Sequence, residues 1–205
     1  MDTPKEFVTS LVKECKDSAQ ISSALSPWDY KEQKECVILP CYDTNSNDPF
    51  KRISPDTLSD VLDGQYTSKY DHLYLIDCRF PYEYTGGHID SAININDYEE
   101  LEKLLLRSDG GKPNTLIIFH CEFSCMRAPR MALHLRSRDR HANLVDYPKL
   151  YYPEIYLLDG GYSRFFQSYK HRCTPQSYVG MKDAAHAKDF QLYAHQLDPK
   201  SLYHL

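Results

Sequence analysis

An apolar run over 116–119 ends at His120-Cys121, a polar loop follows, and Arg127 opens a segment with Pro129 in its first turn. Leu116, Ile117, Ile118 and Phe119 are largely β-favouring and uninterrupted, the pattern of a buried strand. Proline in the first turn of a helix loses no hydrogen bond, because the amide there has no partner anyway. Strand, loop and helix N-terminus together form an anion site: backbone N–H groups converge and the helix dipole adds positive potential. A cysteine opening such a loop is favoured as thiolate by the helix N-terminus and by nearby cations. Arg127 closes the loop with a planar fork that matches two oxygens of a phosphate. Glu122, Phe123, Ser124, Cys125 and Met126 lie between nucleophile and clamp, and with Arg127 they are the expected phosphate-binding loop. The spacing points to phosphoryl chemistry.

Composition narrows the alternatives. A chain of 205 residues can bury a full core as one domain. The formal charge of -5 gives no basic field for nucleic acid, which is not expected as a partner. The 7 cysteines show no C-x-x-C pair, so neither a zinc ribbon nor a disulfide framework is indicated, and no metal site is expected. The opening Met1-Asp2-Thr3-Pro4-Lys5-Glu6 lacks the basic start and apolar run of a signal peptide. No apolar stretch approaches the roughly 20 residues that span a bilayer, so no membrane partner is expected. An odd cysteine count without an export signal predicts a reducing, intracellular compartment.

Residues 1–50 read as an N-terminal extension of unknown role. Phe7, Leu11 and Val12 give a partial helical stripe, 18–27 a polar loop, 36–39 a short strand before Pro40, and 43–48 a turn. From Ile53 the pattern sharpens. Ser54 and Pro55 start a helix with Leu58, Val61 and Leu62 on its apolar face, ended by Gly64. Strands are expected over 73–76, 92–95, 116–119 and 155–158, and a glycine turn over 82–89. Helices are expected over 98–106, from Arg127 to about Arg140, and through Phe165 and Phe166. Strands alternating with helices predict an α/β fold, a mainly parallel central sheet covered on both faces. Sites in such sheets gather at the strand carboxyl ends, where Cys78 and Cys121 both fall.

Several longer motifs are specific. Asp77-Cys78-Arg79-Phe80-Pro81-Tyr82-Glu83-Tyr84 and Gly86-Gly87-His88-Ile89 resemble the rhodanese-like fold, a three-layer sandwich, and within it the M-phase inducer phosphatases. The match continues through His120-Cys121-Glu122-Phe123-Ser124, Arg127, Pro129-Arg130-Met131, Arg138-Asp139-Arg140 and Asp146-Tyr147-Pro148. Leu150-Tyr151-Tyr152-Pro153-Glu154-Ile155-Tyr156, Gly160-Gly161-Tyr162 and Phe165-Phe166 complete it. The resemblance runs from Ile53 to Met181; residues before 50 do not take part, and a near-minimal catalytic chain is the expectation. Domain bounds of 51–182 for the phosphatase domain and 183–205 for a helical tail packed on or beside it follow. The loop departs from the family, which usually reads Ser-Glu-Arg-Gly-Pro-Arg where this chain has Cys125-Met126-Arg127-Ala128-Pro129-Arg130. Loops without the acid at 126 also occur in the related arsenate reductases.

The resemblance implies a dual-specificity enzyme that removes phosphate from tyrosine and threonine of a cyclin-dependent kinase–cyclin complex, promoting cell-cycle progression. It would act without cofactor, as a monomer, in nucleus and cytoplasm. Cys121 would be the nucleophile and Arg127 the clamp. Glu122, the only acid inside the loop, is either the proton donor to the leaving oxygen or a solvated carboxylate. His120 either supports the loop or is a core residue. Arg130 either holds a second anion or solvates its helix. Glu83 would support the loop amides or Arg127. By the resemblance, Cys78 is a back-door thiol that traps oxidised Cys121, with Cys125 as rival partner. Arg136 and Arg140, four apart on a helix, and Tyr147 match the positions with which the family grips its kinase. The alternatives are an arsenate reductase of the same fold and a catalytically weak kinase-binding module. A sulfurtransferase is disfavoured, since its loop should be about one residue shorter.

Overall fold

The computed structural model describes residues 37–42, 49–106 and 111–193. The chain enters a sheet through β1 (Lys51–Ile53) and turns into α1 (Pro55–Leu62). The Ser54 hydroxyl accepts the Thr57 amide at 3.0 Å, and Pro55 sits in the first turn where no amide is needed. There follow β2 (His72–Asp77), α2 (Pro81–Thr85), β3 (His88–Ile89), β4 (Ile93–Asn94), α3 (Tyr98–Leu105) and β5 (Thr115–His120). The chain continues with α4 (Arg127–Ala142), β6 (Ile155–Leu158), α5 (Gly161–Tyr169), β7 (Cys173–Thr174) and α6 (Ala187–Tyr193).

Five strands form a sheet in the order β1-β6-β5-β2-β4, with every neighbouring pair parallel. Because strand side chains alternate, β5 serves two cores. Ile117 and Phe119 pack with Leu101 and Leu105 of α3 and Met131 and Leu135 of α4. Leu116 and Ile118 pack with Leu58 and Val61 of α1 and Tyr162 and Phe165 of α5. All six residues of β5 are buried, which is why its sequence does not alternate. The sandwich is the one expected. Its strand ends are aligned: Asp77 pairs with His120, so the loops after β2 and β5 leave the sheet side by side.

Polar contacts fix the helices on this frame. His134 of α4 lies 2.7 Å from Glu102 of α3, under the stacked ring of Tyr98. The buried Asp139 carboxylate accepts the amides of Tyr151 and Tyr152 at 2.9 and 3.0 Å, setting the return to β6.

The departures from expectation are all at short elements. Residues 81–85 form a helix rather than part of a turn, because the Glu83 carboxylate accepts the Phe80 amide at 3.0 Å and starts it. The small strands β3 and β7 pair antiparallel beside the main sheet, a contact between distant segments. Residues 37–39 are not a strand; Tyr42 instead makes a single antiparallel bridge with Arg52. Leu39 enters the core there, and the Ile38 amide donates to Glu154 and to the Tyr156 hydroxyl at 3.1 Å each. The described end of the tail packs on the domain: Tyr193 stacks on Phe80 at 5.1 Å and His186 on Tyr82 at 5.0 Å. The stripe through Phe7, Leu11 and Val12, the loop 18–27 and the turn 43–48 lie outside the described residues, as does 194–205.

Candidate active site

Cys121 stands one residue beyond β5, 3 % exposed, and α4 begins six residues later. The N-cap residue of α4, Met126, makes no side-chain capping hydrogen bond. Among the described residues, the amides of Glu122, Phe123, Ser124 and Met126 meet no protein acceptor. These open amides at the N-terminus of a 16-residue helix make the loop a cradle for an oxyanion.

The loop is held from three sides. Ser124 adopts a left-handed φ of 53°, and its hydroxyl takes the Cys121 amide at 3.4 Å. Its carbonyl accepts Arg52 from β1 at 3.0 Å. From α5, the amides of Tyr162 and Ser163 donate to the carbonyls of Cys121 and Glu122 at 2.9 and 3.0 Å. That approach needs glycine at 161: a Cβ there would stand 2.3 Å from the Cys121 carbonyl oxygen, at a φ of +57°.

Arg127 is aimed by a buried carboxylate. Glu83, fully buried, receives both of its terminal nitrogens, Nη1 on Oε2 and Nη2 on Oε1, the latter at 3.0 Å. The guanidinium lies over the Phe80 ring at 4.9 Å. Burial works against its charge, but the Glu83 charge and hydrogen bonds prevail and raise its pKa, so it stays a cation. Glu122, 7 % exposed, is 3.9 Å from Nη2. Burial raises its pKa, with the Glu83 charge adding to the rise and a Tyr178 hydrogen bond opposing it.

Beneath the loop, Cys78 and Cys121 follow directly on the paired residues Asp77 and His120. The Cys78 amide donates to the His120 carbonyl at 2.7 Å, and both cysteines lie in one core cluster. Neighbouring strands are about 4.8 Å apart, inside the Cα range of about 4.4–6.8 Å that a disulfide tolerates. Burial, then the Cys121 and Asp77 charges, push the Cys78 thiol up, so at rest it is protonated.

His120 is fully buried, with Nδ1 3.8 Å from Asp77, and neither ring nitrogen has a hydrogen-bond partner among the described residues. Burial holds its pKa down to about 4, against the pull of the Asp77 charge. Its ring is neutral at pH 7. Asp77 itself is held below its usual range: burial opposes ionisation, but His120 and Arg79 favour it more. A depressed histidine contributes stability that is present above its unfolded value and is lost as pH falls toward the folded one. Stability is therefore expected to drop from about pH 6.5 to about pH 4 by on the order of 2–3 kcal/mol, with the Asp77 loss following below that. Denaturant titrations at stepped pH check this, and His120→Asn should flatten the slope in that window.

The remaining candidates lie elsewhere. Nine to thirteen residues along α4 from Arg127 is about 13–20 Å, so Arg136 and Arg140 are remote from the loop. Arg136 is turned onto its own fold, donating to the Tyr152 and Pro153 carbonyls at 2.7 and 3.1 Å. Arg140 is half-buried, and Tyr147 is 66 % exposed beside Leu144 and Val145. Arg130 lies near enough to Tyr98 for its charge to act on that hydroxyl. Sequence reading missed Arg52, the Phe80 platform and the contacts that hold Glu122. Only Phe80 gave a local signal, as part of the motif after β2.

Residues 54–168 match the family model of the rhodanese-like domain. The chain belongs to that family. This rhodanese-like domain is 46% identical over 155 residues to the M-phase inducer phosphatase of Schizosaccharomyces pombe, covering 74% of this chain and 25% of that protein. It is 45% identical over 157 residues to M-phase inducer phosphatase 3 of Mus musculus, covering 75% of this chain and 34% of that protein. Thus the chain spans about a quarter to a third of the length of these relatives. Among solved structures it is similar to the As-Sb reductase from Leishmania major, with 25% identity and a TM-score of 0.45 over 67% of this chain and 97% of the other.

Proposed function

We propose that this domain is a cysteine-dependent dual-specificity protein phosphatase acting on phosphotyrosine and phosphothreonine of a cyclin-dependent kinase in complex with cyclin. The observation that carries the reading is Arg127, clamped by both oxygens of Glu83 at the end of a loop that starts at Cys121 and in which the Glu122, Phe123, Ser124 and Met126 amides meet no acceptor among the described residues. Similarity to two M-phase inducer phosphatases over three quarters of this chain supports the same class.

In this mechanism the Cys121 thiolate attacks phosphorus in line as the P–O bond to the leaving oxygen breaks. Loop amides and Arg127 hold the three equatorial oxygens, where charge gathers in the transition state. Glu122 gives its proton to the leaving oxygen. Its raised pKa keeps a larger share of it protonated than an exposed glutamate would have. Water then cleaves the phosphocysteine, and Glu122 takes back a proton. A panel of bisphosphorylated kinase–cyclin complex, aryl phosphate, arsenate with thiol, and thiosulfate with cyanide tests the reading. Turnover of the phosphoprotein is expected; turnover of thiosulfate or arsenate alone would overturn it.

Redox protection belongs to the same proposal. Peroxide would convert the Cys121 thiolate to a sulfenic acid and hydroxide. Cys78 would displace the hydroxyl as water and close a disulfide. Cys78→Ser should keep basal turnover but lose recovery by thiol reductant after a peroxide pulse. Full recovery in that variant, or a Cys121–Cys125 link in wild type by peptide mass spectrometry, would remove Cys78 from the role.

A further inference from the structure

The Glu122 carboxylate does not stand free in the loop. Its Oε1 accepts the Tyr178 hydroxyl at 2.7 Å and its Oε2 accepts the Met181 amide at 3.3 Å. Both donors come from the segment after β7, more than fifty residues away in sequence. That segment is fastened on either side of the contact. The Tyr162 hydroxyl donates to the Ser177 carbonyl at 2.8 Å, and the Ser177 hydroxyl donates to the Gly86 carbonyl. Beyond it, the Tyr82 hydroxyl donates to the Met181 carbonyl. The Tyr178 ring is stacked on Tyr162 with centroids 5.6 Å apart and tilted against Phe166 at 5.9 Å, so its hydroxyl has little freedom to leave Glu122. Between the two donors sits Gly180, where a Cβ would stand 3.0 Å from Glu122 Oε1. A strap tied at both ends, with two donors facing one carboxylate, is more than a solvated loop acid requires.

We infer that Tyr178, with the Met181 amide, is the positioning residue for Glu122: the strap over 177–181 aims the carboxyl that protonates the leaving oxygen. The inference rests on the phosphatase reading above. Tyr178 touches neither substrate nor the reacting sulfur; it acts through Glu122. The charged and titratable groups facing Glu122 are Arg127, Glu83, Tyr178 and Tyr82, from α4, α2 and the strap. Of these, Arg127 and Tyr178 favour the ionised carboxylate and Glu83 opposes it. Removing the Tyr178 hydroxyl should therefore move the Glu122 titration to higher pH, while leaving the carboxyl without its aim.

A proton donor matters most when the leaving oxygen is a poor one, and least when it is already stable as an anion. Tyr178→Phe is accordingly expected to lower kcat on a phosphotyrosine phosphoprotein by about tenfold, the size of one lost positioning hydrogen bond. On an aryl phosphate with a strongly acidic phenol, kcat should stay within about twofold of wild type. The alkaline limb of the kcat profile on the phosphoprotein should shift upward in pH. Combined with Glu122→Gln, Tyr178→Phe should add nothing further, because its target is gone. Circular dichroism and thermal melts identify a variant that has merely failed to fold, and Tyr178→His, which restores a donor, serves as the second variant and should recover part of the loss. Equal losses on both substrates, an unmoved pH limb, or additive losses with Glu122→Gln would overturn the inference. If wild type hydrolyses neither phosphate ester, the phosphatase reading itself fails, an outcome distinct from these.

Discussion

Replacing Cys121 with serine is expected to lower phosphoprotein turnover by more than about a thousandfold while leaving the fold and substrate binding intact. Serine is nearly the same size, so it fits the space at the end of β5 and keeps the amide that donates to Ser124. It is far less acidic than a thiol, however, and the neighbouring His120 is fully buried, with no hydrogen-bond partner for its ring among the described residues. The loop amides and Arg127 would still hold the phosphate, so pull-down of the phosphorylated kinase complex should survive. Retention of more than a few per cent of turnover would show that another group attacks phosphorus.

Arg127→Lys should cost about a hundred- to a thousandfold in kcat/KM, most of it in kcat. A lysine keeps the charge but offers a single point where the guanidinium offers a fork. It cannot meet both Glu83 oxygens and the phosphate together, as Arg127 is arranged to do with Nη1 and Nη2 already on Glu83. Part of the cost is structural. Glu83 is fully buried, and an incompletely paired buried carboxylate typically costs a few kcal/mol, so a lower melting temperature should accompany the lost activity. Glu83→Gln makes the complementary case: it leaves the fork in place but loosens its aim, and about a ten- to hundredfold loss is expected. If Arg127→Lys changes KM alone, the arginine binds ground state and transition state equally and is not the clamp described here.

What was legible in the sequence was what neighbouring residues decide among themselves. The strand–loop–helix at 115–142 could be read because its apolar run, its loop and Pro129 are contiguous, and the start of α1 because Ser54 and Pro55 cap it locally. β1, β3 and β7, of two or three residues each, carry no period to read and exist only because partners meet them. The site divides in the same way. Cys121 and Arg127 belong to one loop, and Glu83 to a recognisable motif. Arg52 reaches the Ser124 carbonyl across 72 positions and Tyr178 reaches Glu122 across 56, contacts that no local pattern encodes. Arg136 is a further case: its spacing with Arg140 places both on one helical face, but nothing local encodes its contacts with the Tyr152 and Pro153 carbonyls, which the chain return brings to it.

The proposed mechanism turns on a covalent phosphocysteine at Cys121. Rapid mixing with phosphorylated kinase–cyclin complex, acid quench within a turnover and mass spectrometry of the peptide carrying Cys121 test it directly. A phosphoryl group on Cys121 that appears before free phosphate and disappears as substrate is exhausted is the predicted result. Phosphate release with Cys121 never phosphorylated would contradict it.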